Sequence, residues 1–518
     1  MKTLVIDNLG GPLTRKPDGP LNSGLAKFDT SWGYDPFTSP GNLTWNEQPT
    51  SVLTLSMSSV AYGITNMASR LTSSVPYIYS IDGDGKMRST DVKTGANSVR
   101  GTLPYGNNYS MGPGMVFYGS TEKIFHSSNN RIQKINFDGS SPASVKGSTS
   151  VVANVPTPMT TFLGKIYFGN GNNIGEIDTT ETVTTGSKLS PSLPTNVVVR
   201  DLEVTPDGNY LQITATKYQP GGGFGLPTST QANITDSYRF LWNGTDSTYT
   251  SYESFPSTNL TANQIVALNN YFTGDDITGM ALYADSQKLL SLPKVLSPFP
   301  GGLFSLGNTL GIATTGYDSL DNQTTLDVYQ YGQYDNDTQG GLYRIVRLPA
   351  PVLTDMLFTT GAIPVTNQVL LPSNATNTNT PGKIYFNTTE TSDASGGTDY
   401  QFRLWKWDYT SQGGQTFNGV YETQSENFSK KVTVKEVRIY TNPIVTENSF
   451  DIQLIGSGGT VLSDMLFEEG VNCSVGQDMM QYNPATAPTY AIGVRIYNYG
   501  YTNMTFMKIE LDVDDAGK

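Results

Sequence analysis

The sequence has very little of several things that chemistry usually needs. One cysteine, Cys473, and one histidine, His126, stand in 518 residues. A single cysteine excludes an intrachain disulfide framework. The two counts together exclude a zinc site of Cys and His ligands, and they leave His126 as the only imidazole available to a Ser-His-Asp or Cys-His site. Charged residues make up only 15% of the chain, and 45 acids against 32 bases give a formal net charge of −13. A protein that wraps duplex DNA needs a cationic face, and no such excess is present. No stretch approaches the roughly 20 apolar residues of a membrane-spanning helix. The opening MKTLVIDNLGG has an apolar run that ends at Asp7, too short for the core of a secretion signal. The chain is therefore expected to be made in a cytosol. The N-x-[ST] triplets, such as those at Asn42, Asn233 and Asn387, then read as Asn/Thr-rich turns and not as glycan acceptors. A phosphate-binding Walker A loop and a dinucleotide-type GxGxxG after a strand are also missing, as are heptads and most helical periodicity.

What is present is glycine (53), tyrosine (30) and abundant Asn, Thr and Ser, the composition of many short strands joined by polar turns. The word GKIYF occurs at Gly164–Phe168 and again at Gly382–Phe386. Its first copy belongs to a longer pattern, I-[FY]-x6-I-x2-I, carried by Ile166, Tyr167, Ile174 and Ile177. The same spacing occurs 42 positions earlier, in Ile124, Phe125, Ile132 and Ile135. Looser copies read at Ile78, Tyr79, Met87 and Val92, at Leu282, Tyr283 and Leu290, in GLYRIVRL, and in the second GKIYF followed by YQFRLWKWD. Each is a strand, a Gly/Asn/Asp/Ser turn and a returning strand. A hairpin unit recurring every 40 to 45 residues or so is the signature of propeller blades. Units placed near 51–100, 101–150, 151–195, 196–256, 257–300, 301–350 and 351–410 give six or seven blades, with 218–236 an insertion loop. The fold expected is all-β: a six- or seven-bladed β-propeller over 51–417.

The ends differ. Residues 1–50, rich in Gly, Pro, Asn and Ser, are expected to form an extended N-terminal arm. Trp32, Tyr34 and Phe37 are apolar groups on a segment with no blade of its own, hence candidates for a subunit interface, and removing residues 1–45 is expected to leave a folded propeller. Residues 418–518 carry longer, cleaner strands, among them VTVKEVRIYTN with Val432, Val434, Val437 and Ile439, and SFDIQLIG, YAIGVRIYNYG and MTFMKIELDV, with GSGG at 456–459 as a turn. They are expected to form a separate jelly-roll-like β-sandwich, a module able to bind sugar, pack a neighbour or cap the propeller.

Candidate chemistry is sparse. DGDGKMRSTD resembles a calcium loop with Asp82, Asp84 and Asp91 as oxygen donors, but it lacks the third early ligand and the terminal Glu, so a plain hairpin turn is the simpler reading. Trp405, Trp407 and Tyr409 alternate onto one strand face, as core or as a sugar-stacking surface. Carboxylates are plentiful enough for a glycosidase pair, although no sialidase-type S-x-D-x-G-x-T-W occurs. No catalytic residue, cofactor or metal is expected.

The start Asn8, Leu9, Gly10, Gly11, with Pro17 and Asp18 following in an extended arm, then propeller units and a terminal sandwich, resembles the tail nozzle (tubular or hub) proteins of short-tailed bacteriophages. That resemblance implies a virion component assembled in a bacterial cytoplasm. Its subunits would form a homo-oligomeric ring below portal and adaptor proteins, with DNA passing through the lumen, no membrane insertion and no catalysis. A glycan- or receptor-binding tail protein, and a propeller glycoside hydrolase or lyase, are the alternatives the residues leave open.

Overall fold

Both copies of GKIYF run into the second strand of a four-stranded antiparallel sheet, Lys165–Asn170 in one case and Lys383–Thr391 in the other. The computed structural model describes strands and turns between residues 2 and 516. Outside the description lie chiefly residues 10–27, 36–41, 58–65, 106–114, 219–233, 292–302, 351–367, 372–382, 392–399 and 408–418, with shorter loop segments, and over 260–407 it is largely the backbone that is described.

The described residues form seven four-stranded antiparallel sheets and one nine-stranded sheet, with a two-stranded ribbon. In chain order, sheet I spans 66–102, sheet II 115–146, sheet III 159–184, sheet IV 197–256, sheet V 260–291 and sheet VI 303–349, each a simple meander. Sheet VII is made of Gln368–Leu371, Lys383–Thr391 and Tyr400–Trp407, and its fourth strand is Thr50–Met57. The stretch 51–57, expected to open the first blade, thus closes the last sheet, with Tyr400 opposite Met57 and Leu404 opposite Leu53. The first strands of sheets I to VI lie side by side in order, and Gln368–Leu371 of sheet VII lies against Asn66–Leu71 of sheet I. This is β-propeller character, built almost without helix.

The repeat has a physical meaning in sheets II and III. Ile124 pairs with Ile135, and both pack towards sheet I with Tyr79, Ile81 and Met87. Phe125 and Ile132 emerge on the opposite face and pack towards sheet III with Ile166, Phe168 and Ile177. One sheet on, Ile166 and Ile177 face backwards, while Tyr167 and Ile174 face sheet IV and meet Val199, Ile213, Phe240 and Trp242. The first and last letters of the motif thus fill the space before a sheet and the middle two the space after it, because successive strand residues point to opposite faces. Gly139 shows how closely sheets I and II approach: at φ +89° its hypothetical Cβ would stand 1.8 Å from the carbonyl oxygen of Arg100. The looser copies at Leu282 and in GLYRIVRL fall on third and fourth strands, Ala281–Ala284 and Gly340–Pro349. Short apolar alternation suits any strand of a meander, so these are not the same position of the repeat.

The chain divides into two compact units, one of residues 50–326 and 349–406, the other of residues 1–49, 327–348 and 407–518. In the second unit the strand order is Lys2–Asp7, Phe506–Asp515, Glu426–Thr441, Thr489–Asn498, Gly419–Thr423, Phe28–Trp32. Ser449–Ile455 pairs with Thr489–Asn498 and with Val461–Glu468, and Met479–Tyr482 pairs with Glu426–Thr441. Val432 and Val434 are buried, a bulge follows, and burial resumes at Val437 and Ile439, the parity change a bulge imposes. Phe450 stacks on Phe467 at 4.9 Å and meets Phe506 edge-on at 5.1 Å. GSGG contains a 3-10 turn, Ser457–Gly459.

The N-terminal segment differs from the extended arm expected of residues 1–50. Lys2–Asp7 pairs along its whole length with Phe506–Asp515, Phe28–Trp32 pairs with Gly419–Thr423, and Leu43 and Trp45 are fully buried. Apolar residues with no blade of their own find their core in the C-terminal sheet of the same chain, so the boundary at residue 418 does not delimit this unit.

Candidate functional site

His126 lies on the second strand of sheet II, opposite Gln133 and Met115. It is fully buried, and neither ring nitrogen has a hydrogen-bond partner among the described residues. Burial pushes its pKa down to about 3, so the ring is neutral at physiological pH and out of solvent's reach. The neighbouring Gln133 amide is taken up by Tyr105, accepting from its N–H at 3.0 Å and donating to its carbonyl at 3.1 Å. Among the described residues nothing positions a nucleophile against the imidazole.

Of the calcium candidates, Asp82 and Asp84 lie outside the described residues. Asp91 accepts from the Thr94 N–H at 3.3 Å, an ordinary turn bond. Among the described residues no group of three His, Cys, Asp or Glu side chains could hold a metal ion. Trp405 is half-buried and pairs with Ser51; the Trp407 side chain and Tyr409 lie outside the description. Cys473 is buried, its thiol pKa pushed up by burial and then by Glu469 and Glu468. Of the interface candidates, the backbones of Trp32 and Tyr34 pair with Val420 and Trp45; their side chains, and Phe37, lie outside the description. So do Asn8, Gly10, Gly11, Pro17 and Asp18, whereas Leu9 is buried and its carbonyl accepts the Tyr421 hydroxyl at 2.8 Å.

The structure does bring together a set of residues that ties the two ends of the chain to each other. Lys508, Glu510 and Asp512 alternate along Phe506–Asp515 and face Tyr440, Arg438 and Glu436 on the neighbouring strand. Arg438 donates to Glu510 at 3.0 Å and to both oxygens of Asp512 at 3.1 and 3.2 Å, with Glu436 3.4 Å away. Thr3, on the first strand, donates to Asp512 at 2.6 Å. Lys508 donates to Glu510 at 2.8 Å and sits 4.3 Å over the Tyr440 ring, whose hydroxyl donates to the same carboxylate at 3.1 Å. The Thr3 hydroxyl and then Arg438 hold the Asp512 pKa below the usual carboxylate value, and Lys508 and then Arg438 do so for Glu510. Asp512 and Glu510 raise Arg438 in return. The alternation K-x-E-x-D at 508–512 is visible in the sequence; that its partners are Thr3 and Arg438 is not.

No protein-family model matches this chain, and no curated protein matches it. Among solved structures, it is similar to the WD40 β-propeller domain of Doa1 at 10% identity, over 55% of this chain and 97% of that one, with a TM-score of 0.31. BamB from Moraxella catarrhalis aligns at 8% identity over 70% and 99%, TM-score 0.36. A luciferin-regenerating enzyme aligns at 10% identity over 57% and 91%, TM-score 0.35. At such scores the β-propeller character rests on the sheets described above.

Proposed function

We propose that this chain is a structural subunit of a short-tailed bacteriophage virion, forming the nozzle or hub ring through which DNA leaves the tail, and that it turns over no substrate. In this reading the seven sheets are the blades of one seven-bladed propeller, and the nine-stranded assembly is a two-layer β-sandwich that includes the N-terminal strands. One observation carries the proposal: the described residues form seven four-stranded antiparallel sheets and, in a second compact unit, a nine-stranded assembly that takes in the N-terminal strands, which supports the organisation of propeller units and terminal sandwich on which the resemblance rests. The virion context comes from the resemblance of the sequence. A closed ring needs two different complementary faces on each subunit.

The test is to add purified protein to tail-defective particles and image them by electron microscopy. Rings at the portal vertex support the reading. A chain that stays monomeric with particles present, or that hydrolyses a glycoside or polysaccharide with loss of activity on one Asp or Glu substitution, removes it.

A further inference from the structure

Away from the ends of the chain, one outward sheet face gathers a second set of residues. Along Thr489–Asn498 and just beyond it, Ile492, Val494 and Ile496 point into the core, and Arg495, Tyr497 and Tyr499 point outward. The register sets Gln453 opposite Arg495 and Asp451 opposite Tyr497, then Asp464 opposite Gln453 and Leu466 opposite Asp451, with Glu422 beside Arg495 on the other flank. Four strands thus place two tyrosines, two aspartates, a glutamate, a glutamine, an arginine and a leucine on one surface.

The groups are connected. Arg495 donates to Glu422 at 2.9 Å, to the Gln453 carbonyl at 3.3 Å and to the Tyr497 hydroxyl at 3.4 Å. The Gln453 amide therefore turns its NH2 towards the two aspartates, 3.5 Å from Asp451 and 3.4 Å from Asp464. The Tyr497 and Tyr499 rings are parallel, 1° apart in plane, with centroids 6.1 Å apart. Tyr499 is 47% exposed and Leu466 49%. Asp451 is only 8% exposed, and its Oδ1 has no hydrogen-bond partner among the described residues. A buried acceptor left unpartnered beside a second carboxylate is costly. Burial and Asp464 push the Asp451 pKa up to about 7.

We infer that this face is a carbohydrate-binding site for uncharged pyranose units of a polysaccharide, a role independent of any ring assembly. Parallel phenol rings beside an exposed leucine offer apolar surface to the C–H face of a sugar. Carboxylate oxygens and an oriented amide accept from and donate to neighbouring hydroxyls, the small set of placed polar groups that fixes a ligand's orientation. A ligand hydroxyl would also give Oδ1 of Asp451 a partner, after a small rotation of its carboxyl. Glu422, Asp451 and Asp464 stand against the single guanidinium of Arg495, which disfavours sulfated or uronic sugars.

The experiment is native gel electrophoresis of the full chain through gels containing soluble neutral polysaccharides (a mannan, a galactan, an α-glucan, a β-glucan), with polygalacturonate and heparin as anionic probes. Retardation is expected in at least one neutral gel, weakened at least tenfold in Kd by Tyr499→Ala and by Asp464→Asn, with neither variant lowering the melting temperature. A Tyr499→Phe variant, which keeps the ring, should retain most of the binding. Four outcomes overturn the proposal: no retardation by any neutral polysaccharide, retardation by the anionic probes alone, retardation indifferent to both substitutions, or a rise in melting temperature with calcium alone and no glycan binding. The last would assign the Asp451–Asp464 pair to a cation.

Discussion

Two ionisable side chains in the larger unit, His126 fully buried and Glu203 partly so, set opposite pH dependences. His126 has its pKa lowered from 6.5 to about 3 by burial. Between those values the unfolded chain binds a proton that the folded one refuses, so acidification destabilises by about 1.4 kcal/mol per pH unit. Glu203, on the first strand of sheet IV, has its pKa raised from 4.5 to about 8 by burial and then by Asp201. There the folded state binds the extra proton, so stability rises as pH falls from 8 towards 4.5 and is lost again as pH rises through 8. The windows overlap from about 4.5 to 6.5, where the two slopes cancel, and in the wild type this unit should show a nearly flat stability profile across that range. Glu203→Gln should uncover the histidine, with stability falling steadily below pH 6.5. His126→Leu should uncover the glutamate, with stability rising down to about pH 4.5. Urea melts at half-unit pH intervals measure both. A flat profile in both variants would mean that neither group is held as described.

At the level of elements, the strand Thr50–Met57 separates two kinds of N-terminal truncation. Removing residues 1–49 takes away Lys2–Asp7, Phe28–Trp32 and the buried Leu43 and Trp45. Burial of each of the last two is worth about 1.5–3 kcal/mol, and the edge of Phe506–Asp515 is laid open. That deletion should abolish the calorimetric transition of the C-terminal unit and spare that of the propeller unit. Removing residues 1–57 also strips the fourth strand from sheet VII and should broaden or abolish both. A truncation near residue 45 therefore does not isolate an assembly arm, as the sequence suggests it would, because the segment is part of the core. The reason for that misreading is physical. The repeat was legible because each of its letters faces a defined neighbour within about 40 residues, and apolar periodicity records which face is buried. The pairing of Lys2–Asp7 with a strand some 500 residues away leaves no local mark, since any alternating strand can complete a sheet edge. The tyrosine–aspartate face was half legible: R-x-Y-x-Y at 495–499 alternates plainly, but Asp451, Gln453 and Asp464 join it only through register.

For the whole molecule, the electrostatic balance makes a prediction about nucleic acid that does not depend on knowing any partner. The net charge is −13, and several of the described basic side chains are already engaged: Arg438 and Lys508 by Glu510, Arg495 by Glu422, Lys123 and Lys134 by Glu181, Lys165 and Lys188 by Glu176. Affinity for DNA comes largely from counterions released when Lys and Arg neutralise phosphates. A surface whose cations are paired with its own carboxylates releases few. If DNA is to slide through a ring of such subunits, weak contact is what passage requires, since each tight phosphate contact would have to be broken in turn. The chain alone should therefore leave a duplex unretarded in a mobility-shift assay even at about 50 mM salt, where nonspecific binders are tightest. Charge reversal at Glu181 and Glu176, which frees four lysines, should introduce a weak shift that disappears on raising the salt. A wild-type shift that weakens steeply with salt would reveal a cationic stripe formed by several chains or by residues outside those described, and would count against the weak contact that the proposed passage of DNA requires.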